Sequence, residues 1–300
     1  MIGPPCLKKG DRVAIVAPAR KVSAEDLDPA IRMLEAWGLS VVTGQRVFGT
    51  WNQFSGTDPE RAADLQEMLD NSDIRAIFCA RGGYGLIRII DRLDFTRFVK
   101  DPKWIVGYSD VTVLHAHIHT NFGIETLHAT MPIQFGETVE SYETFTTLRK
   151  ALFGESLTYS LPCSNLSRKG TARGMLVGGN LSLIYGLAGT KSDLVTDGKI
   201  LFLEDLDEYL YHIDRMMHNL KRSGKLSRLA GLIIGGMTDM KDNQVPFGKT
   251  AEEIIAEAAG EYDYPVCFNF PAGHAPDNRA LILGREAVLN VGEEVVFRQT

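Results

Sequence analysis

The first half of this chain alternates short apolar runs with segments of helical periodicity. Residues 12–17 predict a strand, and residues 23–38 predict a helix with Ser23 as its N-cap and Gly38 as its stop. The unit recurs, with predicted strands at 39–43, 74–79 and 104–106 and predicted helices at 58–69 and 111–122. Because each strand is followed by a helix, the sequence predicts an α/β fold with an N-terminal doubly wound domain, in which helices cover both faces of a parallel sheet.

The chain beyond residue 132 differs in character from the first half. Residues 135–154 are predicted as one polar amphipathic helix, and residues 160–169 are rich in serine, proline and asparagine. We interpret residues 136–170 as a segment connecting an N-terminal domain, residues 1–135, to a C-terminal domain, residues 171–300. Predicted strands at 170–177, 199–203 and 229–235, helices at 209–223 and 250–259, and several short strands after them indicate a smaller, mixed α/β domain.

The net charge and the cysteine spacing limit the kinds of molecule that this chain is expected to bind. The formal net charge is −6 and the lysines and arginines are scattered, which argues against nucleic acid or an anionic membrane and favours a small, neutral or zwitterionic substrate. Cys6, Cys79, Cys163 and Cys267 form no C-x-x-C pair, so neither a zinc site nor a redox motif is expected. Residues 1–9 contain no signal-peptide core and no later segment reaches membrane-spanning length, so the expected location is the cytoplasm.

The stretch Gly107-Tyr108-Ser109-Asp110 lies where an apolar run ends and a helical pattern begins. A serine on such a strand-to-helix turn projects clear of the sheet, close to the N–H groups that open the helix, which is the geometry of a nucleophile. Gly107 suits a tight turn, but Val111 stands where the G-x-S-x-G pattern has its second glycine. Taken alone, the motif favours a helix N-cap, for which serine is a preferred residue.

Four acids, Glu204, Asp205, Asp207 and Glu208, come at the end of the apolar run 199–203. They can form a solvated loop that supplies negative charge to the N-terminus of the next helix. They can also form a site for Mg²⁺ or Ca²⁺, although the spacing lacks the alternation and the glycine of a calcium loop. A third interpretation makes Glu204, the acid closest to the strand, the partner that orients a histidine.

His274 lies between Gly273 and Pro276, after the apolar run 265–270, and therefore in a constrained turn. An isolated histidine in such a turn is more often structural or exposed than catalytic. With Ser109 and Glu204, however, it completes the order serine, acid, histidine that α/β-hydrolases show, although such triads are recognised by geometry and not by order.

Three further histidines fall on the helix predicted after Ser109. His115 and His119 share a face by their i,i+4 spacing, whereas His117 points elsewhere. A metal pair is conceivable, but no H-E-x-x-H signature or third ligand accompanies it. We interpret these side chains as packing or surface residues and expect no metal site.

Five motifs, in order and nearly from end to end, resemble the LD-carboxypeptidase family of serine peptidases, which includes the muramoyl-tetrapeptide carboxypeptidases. The motifs are Arg81-Gly82-Gly83-Tyr84-Gly85, Gly107-Tyr108-Ser109-Asp110, Gly178-Gly179-Asn180-Leu181, Leu203-Glu204-Asp205 and Gly273-His274. The resemblance implies a cytoplasmic enzyme of peptidoglycan recycling, acting as a homodimer on small peptides. Such an enzyme removes the terminal D-alanine from a murein tetrapeptide by cutting the amide between an L-configured centre and a D-residue.

The same resemblance implies that the nucleophile comes from the N-terminal domain, that the acid and base come from the C-terminal domain, and that the site lies between them. By position, Ser109 matches the nucleophile, Glu204 the acid and His274 the base. Neither cofactor nor metal is required.

Three more residues have expected roles in this mechanism. The backbone N–H groups of Asp110 and Gly83 are expected to stabilise the oxyanion, and glycine suits this role because the missing Cβ lets the backbone approach a ligand closely. Arg81 is our candidate for binding the free carboxylate of the substrate, since a guanidinium group binds a carboxylate bidentately.

Three alternatives stay open. A related group hydrolyses peptide-nucleotide conjugates of the microcin C type and is expected to have a longer loop with an aromatic residue; residues 158–174 here are compact and lack tryptophan, which favours the murein branch. A nucleotide-binding protein would suit the glycine loop 82–85, but the full G-x-G-x-x-G is missing and Pro18-Ala19-Arg20 follows the first strand in place of glycines. The third alternative is a two-domain ligand-binding protein without catalysis.

Overall fold

The computed structural model describes residues 1–136 and 142–300 of the chain. In chain order, the strands of the described residues are β1 (Arg12–Val16), β2 (Ser40–Thr43), β3 (Ile74–Cys79), β4 (Trp104–Gly107), β5 (Thr126–His128), β6 (Leu157–Pro162), β7 (Gly170–Asn180), β8 (Ile200–Leu206), β9 (Gly231–Thr238), β10 (Val266–Cys267), β11 (Leu281–Leu283), β12 (Glu286–Val291) and β13 (Glu294–Gln299). The α-helices of the same residues are α1 (Ala24–Ala36), α2 (Asp58–Asp70), α3 (Thr96–Lys100), α4 (Thr112–Phe122), α5 (Tyr142–Leu152), α6 (Leu181–Gly186), α7 (Leu210–Arg222) and α8 (Ala251–Ala258).

The first sheet has the strand order β11-β5-β4-β3-β1-β2, and the five strands from the N-terminal half all run parallel. Strand β4 is buried along its whole length, as expected where helices cover both faces of a parallel sheet. The sixth strand, β11, comes from the C-terminal half and pairs antiparallel with β5. The predicted α/β class with an N-terminal parallel sheet is confirmed.

Helix ends follow the predicted signals. The Ser23 side chain accepts a hydrogen bond from the Asp26 N–H, and Asp26 reciprocates at the Ser23 N–H, so α1 begins with a capping box. Gly38 adopts a left-handed φ of 87° just beyond the end of α1, a conformation that glycine adopts without strain. The predicted N-cap and stop of this helix are therefore confirmed.

The second sheet has the order β10-β9-β8-β7-β12-β13-β6. Strands β7 to β10 are parallel to one another, whereas β12, β13 and β6 pair antiparallel. The predicted mixed α/β character of the second half is confirmed. Because β8 is the buried centre of the parallel part, the residues at its carboxyl end are held by strands on both sides.

The helix predicted over residues 135–154 is shorter than expected. Helix α5 begins at Tyr142, and Phe135 belongs to a turn that follows the short 3₁₀ helix Pro132–Gln134. The Phe135 ring packs on Phe145 of α5, with ring centroids 4.9 Å apart, so its apolar character reflects a contact with the helix and not membership of it. Residues 137–141 of the predicted helix lie outside the described residues.

Strand β6 was not among the predicted strands. It lies within the segment interpreted as a connection and pairs with β13 in the second sheet. Its burial alternates, with Leu157, Tyr159 and Leu161 inside, which is the period-two pattern of a half-buried strand. The serine, proline and asparagine content of residues 160–169 had favoured a connecting segment instead.

In the part of the chain that the structure describes, no helix combines the length and the apolar character needed to cross a membrane.

Candidate active site

Ser109 has a left-handed backbone conformation, with φ of 62°, just beyond β4. Non-glycine residues adopt this conformation infrequently, and strained backbone tends to cluster at functional sites. At Gly107, where φ is 155°, a Cβ atom would lie 2.8 Å from Cγ2 of Val111, so glycine allows the chain to turn sharply into the 3₁₀ helix Ser109–Val111. The predicted strand-to-helix turn is present.

The glycine loop after β3 packs directly on this turn. A Cβ atom at Gly82 would lie 3.0 Å from Cβ and 3.2 Å from the hydroxyl oxygen of Ser109, so a larger residue would press on the serine. Gly83 follows with a left-handed φ of 102° and is exposed. Gly83 lines the same cavity as Ser109.

The Asp110 side chain lies behind the turn and holds this loop. Its carboxylate accepts a hydrogen bond of 2.8 Å from the Leu86 N–H, and Asp110 is 1 % exposed. Burial raises the pKa of Asp110 to about 6, opposed by hydrogen bonds from the N–H groups of Leu86 and Gly85. The side chain thus ties the glycine loop to the serine turn, while the role expected of Asp110 concerns its backbone N–H.

Glu204 and His274 form a close pair. Oε2 of Glu204 lies 2.6 Å from Nδ1 of His274 and also accepts the His274 backbone N–H at 3.1 Å. A carboxylate only accepts, so Nδ1 carries the hydrogen and Nε2 is left as the acceptor. At Gly273, where φ is 98°, a Cβ atom would lie 2.6 Å from the Glu204 side chain, so glycine permits this contact.

The electrostatics favour a charged imidazole at this position. Burial alone would lower the pKa of His274, but the hydrogen bond and charge of Glu204, with a contribution from Asp205, outweigh it, and the pKa is raised above its ordinary value. Glu204 itself is 0 % exposed. A buried carboxylate bound to the Nδ1 of an imidazole is also the acid–histidine pairing found in serine triads.

One cavity of about 510 Å³ is lined by four of the six predicted site residues, and Asp110 and Glu204 are not among its lining residues. Ser109, His274, Gly83 and Arg81 all line it, and Glu204 supports it from behind His274. Its volume falls within the range of small-molecule sites. Residues from both halves of the chain meet here, at the carboxyl ends of β3, β4 and β8.

A second buried carboxylate, Asp205, anchors the C-terminal side of the cavity. It accepts hydrogen bonds from Asn180 Nδ2, the Ser182 N–H and the Leu206 N–H, at 2.8, 2.8 and 2.9 Å. Burial, and then the charge of Glu204, raise the pKa of Asp205 to about 7. These bonds fix the turn between β7 and α6 against β8.

The same turn contacts the helix that follows Ser109. The Asn180 N–H donates to Oγ1 of Thr112 at 3.0 Å, and both residues are buried. A Cβ atom at Gly179 would lie 2.5 Å from that Thr112 oxygen, so the two halves of the chain approach each other as closely as glycine allows. The Gly178-Gly179-Asn180-Leu181 motif thus has a structural explanation.

The acidic run 204–208 is not a uniformly solvated loop. Glu204 and Asp205 are buried, whereas Asp207 forms an ion pair with Lys241 at 2.6 Å and Glu208 contacts Nδ1 of His212 at 2.6 Å. Asp207 also has a left-handed φ of 63°. Like Ser109, it is a non-glycine residue in this strained region that lines the cavity.

The histidines of α4 are buried. His115 Nε2 lies 2.9 Å from the Gly107 carbonyl oxygen, His117 Nδ1 lies 2.9 Å from Ser192 Oγ, and His119 Nε2 lies 3.0 Å from Thr126 Oγ1. The first of these contacts supports the end of β4, directly before the serine turn.

Several residues that line the cavity were not predicted as site residues from the sequence. Tyr108 packs its ring edge to face against His274, with centroids 4.8 Å apart, and its hydroxyl receives a 2.6 Å hydrogen bond from Gln134. Arg20 also lines the cavity. Its position four residues beyond β1 was the available signal, since ligands of parallel sheets bind at strand ends.

Two family models cover most of the chain. One, described as the LD-carboxypeptidase N-terminal domain, matches residues 13–129, and one described as the LD-carboxypeptidase C-terminal domain matches residues 173–289. Two curated relatives match nearly the whole chain. The probable murein peptide carboxypeptidase of Bacillus subtilis is 36 % identical, covering 97 % of this chain and 92 % of the relative. The murein tetrapeptide carboxypeptidase of Pseudomonas aeruginosa is 31 % identical, covering 93 % and 92 %.

Two solved structures have a fold similar to that of this chain. The muramoyltetrapeptide carboxypeptidase from Oxalobacter formigenes superimposes with a TM-score of 0.86 at 27 % identity, covering 96 % of this chain and 98 % of that one. MccF in complex with glutamyl sulfamoyl guanosine superimposes with a TM-score of 0.89 at 22 % identity, covering 98 % and 97 %, and shares the fold. With both domain models matched in order along its length, the chain belongs to the LD-carboxypeptidase family.

Proposed function

We propose that this protein is a serine carboxypeptidase that removes the terminal D-alanine of murein tetrapeptides by hydrolysing the L,D amide before it. The observation that carries the proposal is the pair of buried Glu204 and half-buried His274, in which His274 lines the cavity that Ser109 also lines. The murein peptides named for the relatives in Bacillus subtilis and Pseudomonas aeruginosa support this substrate class.

In the proposed mechanism, His274 acts as the base. Its Nδ1–H is held by Glu204, which leaves Nε2 free to take the Ser109 proton as the hydroxyl attacks the amide carbonyl. The imidazolium that forms is stabilised by Glu204 and then returns the proton to the leaving amine of D-alanine. Water attacks the acyl-enzyme by the same route and releases the shortened peptide.

The oxyanion of the tetrahedral intermediate needs hydrogen-bond donors. We assign this role to the backbone N–H groups of Gly83 and Asp110, the first on the loop beside Ser109 and the second immediately after it. One such donor contributes about 3 kcal/mol to lowering the barrier. The Asp110 side chain supports this arrangement, because its bond to the Leu86 N–H keeps the glycine loop against the serine turn.

The charges of the cavity suit a zwitterionic peptide. Arg81 contributes a cation from the N-terminal half, and Asp207 and Glu208 contribute carboxylates from the C-terminal half. Arg81 is assigned to the free carboxylate of the substrate. If Arg81→Ala leaves the Michaelis constant for the tetrapeptide unchanged, this assignment is wrong.

The wider setting follows from the same proposal. An enzyme acting on murein peptides released from the wall would work in the cytoplasm, as part of peptidoglycan recycling. Homodimer formation is also proposed. Light scattering and size-exclusion chromatography of the purified protein would test the dimer directly.

The proposal is tested by mass-spectrometric detection of D-alanine released from the tetrapeptide L-Ala-γ-D-Glu-diaminopimelate-D-Ala. Wild type and Ser109→Ala are compared, with the corresponding pentapeptide as control. Release by wild type alone, and from the tetrapeptide alone, is the expected result.

Absence of release would contradict the murein assignment. The next substrate would then be a peptide-nucleotide conjugate, because the shared fold with MccF makes that chemistry the second candidate. Cleavage of the conjugate but not the tetrapeptide, abolished by Ser109→Ala, would replace the substrate while keeping the nucleophile.

A further inference from the structure

The cavity contains two guanidinium groups that have no ion pair within the part of the chain that the structure describes. Arg20 and Arg81 both line it, and neither has a carboxylate oxygen of a described residue within 4.0 Å. By contrast, the nearby Arg61 and Arg88 are both paired with Asp58. Cations left unpaired in a cavity indicate an anionic ligand group.

Strand order places both arginines on the same side of Ser109. The relevant part of the first sheet reads β4-β3-β1, and Ser109, Arg81 and Arg20 follow these three strands in turn. Neighbouring strands are roughly 5 Å apart, so the loop of Arg81 lies about one strand spacing from the nucleophile and the loop of Arg20 about two. An anionic group bound by both would lie a few ångströms from the carbon that Ser109 attacks.

The Arg20 side chain packs on the backbone of Gly83. A Cβ atom at Gly83 would lie 2.5 Å from Cδ, 2.7 Å from Nε and 2.9 Å from Cγ of Arg20. The stem of the arginine therefore lies directly over the Gly83 backbone, in space that a side chain would otherwise fill. This contact places the Arg20 stem against the loop that also carries Arg81.

The loop of Arg20 is fixed at its backbone. The Ser55 N–H donates to the Ala19 carbonyl at 3.2 Å, and Arg20 forms a β-bridge with Phe54. The buried guanidinium of Arg61 donates to the carbonyls of both Pro18 and Gly85. One side chain thus links the Arg20 loop to the Arg81–Gly85 loop and holds the two loop backbones next to each other.

We propose that Arg20 is a second carboxylate-binding residue, which together with Arg81 holds the free α-carboxylate of the residue that leaves. The proposal rests on the proposed carboxypeptidase function and deepens it. The enzyme then requires a terminal carboxylate because two guanidinium groups on adjacent loops bind it. The Pro18-Ala19-Arg20 segment thereby acquires a role in substrate specificity.

The test compares two substrates, the tetrapeptide acid and the same peptide ending in D-alaninamide. Wild type is expected to prefer the acid by on the order of a hundredfold in kcat/KM, the range of charge-assisted hydrogen bonds to a carboxylate. Arg20→Gln, which stays polar but is shorter and removes the charge, is expected to raise KM for the acid about tenfold and to leave the amide within about twofold. A merely structural role would change both substrates alike.

Lys21→Gln is the matched control. Lys21 is the exposed neighbour of Arg20 but does not line the cavity, so its loss removes the same charge from the same loop. It is expected to leave the preference for the acid unchanged. An equal effect of both variants would attribute the preference to the general field of the protein and overturn the proposal.

Binding is measured in parallel, by calorimetry with the Ser109→Ala variant, so that the two proposals can fail separately. Tighter binding of the acid than of the amide, lost when Arg20→Gln is added, supports the carboxylate site even if wild type releases no D-alanine. Equal binding of acid and amide, or a preference that Arg20→Gln leaves intact, overturns the role of Arg20 even if wild type cleaves the tetrapeptide.

Discussion

The backbone N–H of Asn180 donates to Oγ1 of Thr112 at 3.0 Å, and this bond joins the C-terminal sheet to the helix that follows the serine turn. Asn180 is in turn bound by Asp205, which is adjacent to Glu204. Groups that must cooperate in the proposed mechanism are therefore connected across the two halves of the chain by short, buried hydrogen bonds.

The first prediction concerns Thr112. Thr112→Val removes the acceptor of the buried Asn180 N–H, and we expect it to lower the free energy of unfolding by about 1–3 kcal/mol. We also expect kcat to fall roughly tenfold, because small displacements of catalytic groups are costly. Urea denaturation and steady-state kinetics measure the two effects. Thr112→Ser keeps the hydroxyl and should retain both properties; equal losses in Ser and Val variants would contradict the role of this bond.

The second prediction concerns the pH dependence of activity. Because the net effect of Glu204 raises the pKa of His274, the acidic limb of kcat/KM should lie above the ordinary histidine value of 6.5. Glu204→Gln removes the charge, so burial dominates and the limb should move to lower pH. We also expect kcat to fall on the order of 10³- to 10⁴-fold, as for loss of the acid in other serine triads. A limb that stays at the same pH in Glu204→Gln would show that another group controls it.

The third prediction concerns the anchor of the glycine loop. Asp110→Ala leaves the buried Leu86 N–H without its acceptor and frees the loop that carries Gly83. We expect kcat to fall by roughly tenfold to a hundredfold, somewhat less than the effect of deleting an oxyanion donor outright. Asp110→Asn retains an acceptor oxygen and should keep most of the activity. Full activity of the alanine variant would exclude a part for this bond in holding the oxyanion site.

The fourth prediction concerns stability and Asp205. Its pKa is about 7 in the folded protein against an ordinary value of 3.8, so the folded state binds this proton more tightly than the unfolded state. The resulting stabilisation is complete below pH 3.8 and is lost as the pH rises through about 7. The stability of wild type relative to Asp205→Asn should therefore decrease between about pH 4 and pH 7 and level off above that. Urea midpoints of both proteins across this range provide the measurement, and a constant or increasing difference would contradict the shift.

Much of the first sheet could be predicted from the sequence, because its strands are continuous apolar runs separated by capped helices. Ser23 and Gly38 mark the ends of α1 by local chemistry that needs no tertiary context. Strand β6 was not predicted because the serine, proline and asparagine content of residues 160–169 favoured a connecting segment. Several short strands were predicted after residue 259, but three apolar residues do not reveal that β11 pairs with a strand from the other half.

For the site, the ends of the predicted strands indicated which loops could carry functional residues. They did not show how the side chains of those loops contact one another. The contact between Glu204 and His274 depends on Gly273, whose missing Cβ matters only once the two segments are brought together. The same holds for Arg20, whose side chain packs on Gly83 of a different loop. The triad roles of Ser109, Glu204 and His274 stay predictions, which the kinetic experiments above test.

The pairing of β11 with β5 has a consequence for biosynthesis. These strands are roughly 150 residues apart in sequence, so a ribosome must finish residue 283 before the first sheet can receive its edge strand. Until then β5 presents an unpaired edge, a surface prone to pairing with other chains, and closing such a distant contact slows folding. The N-terminal half therefore emerges as an incomplete folding unit, whose sheet receives its last strand only when translation has passed residue 283.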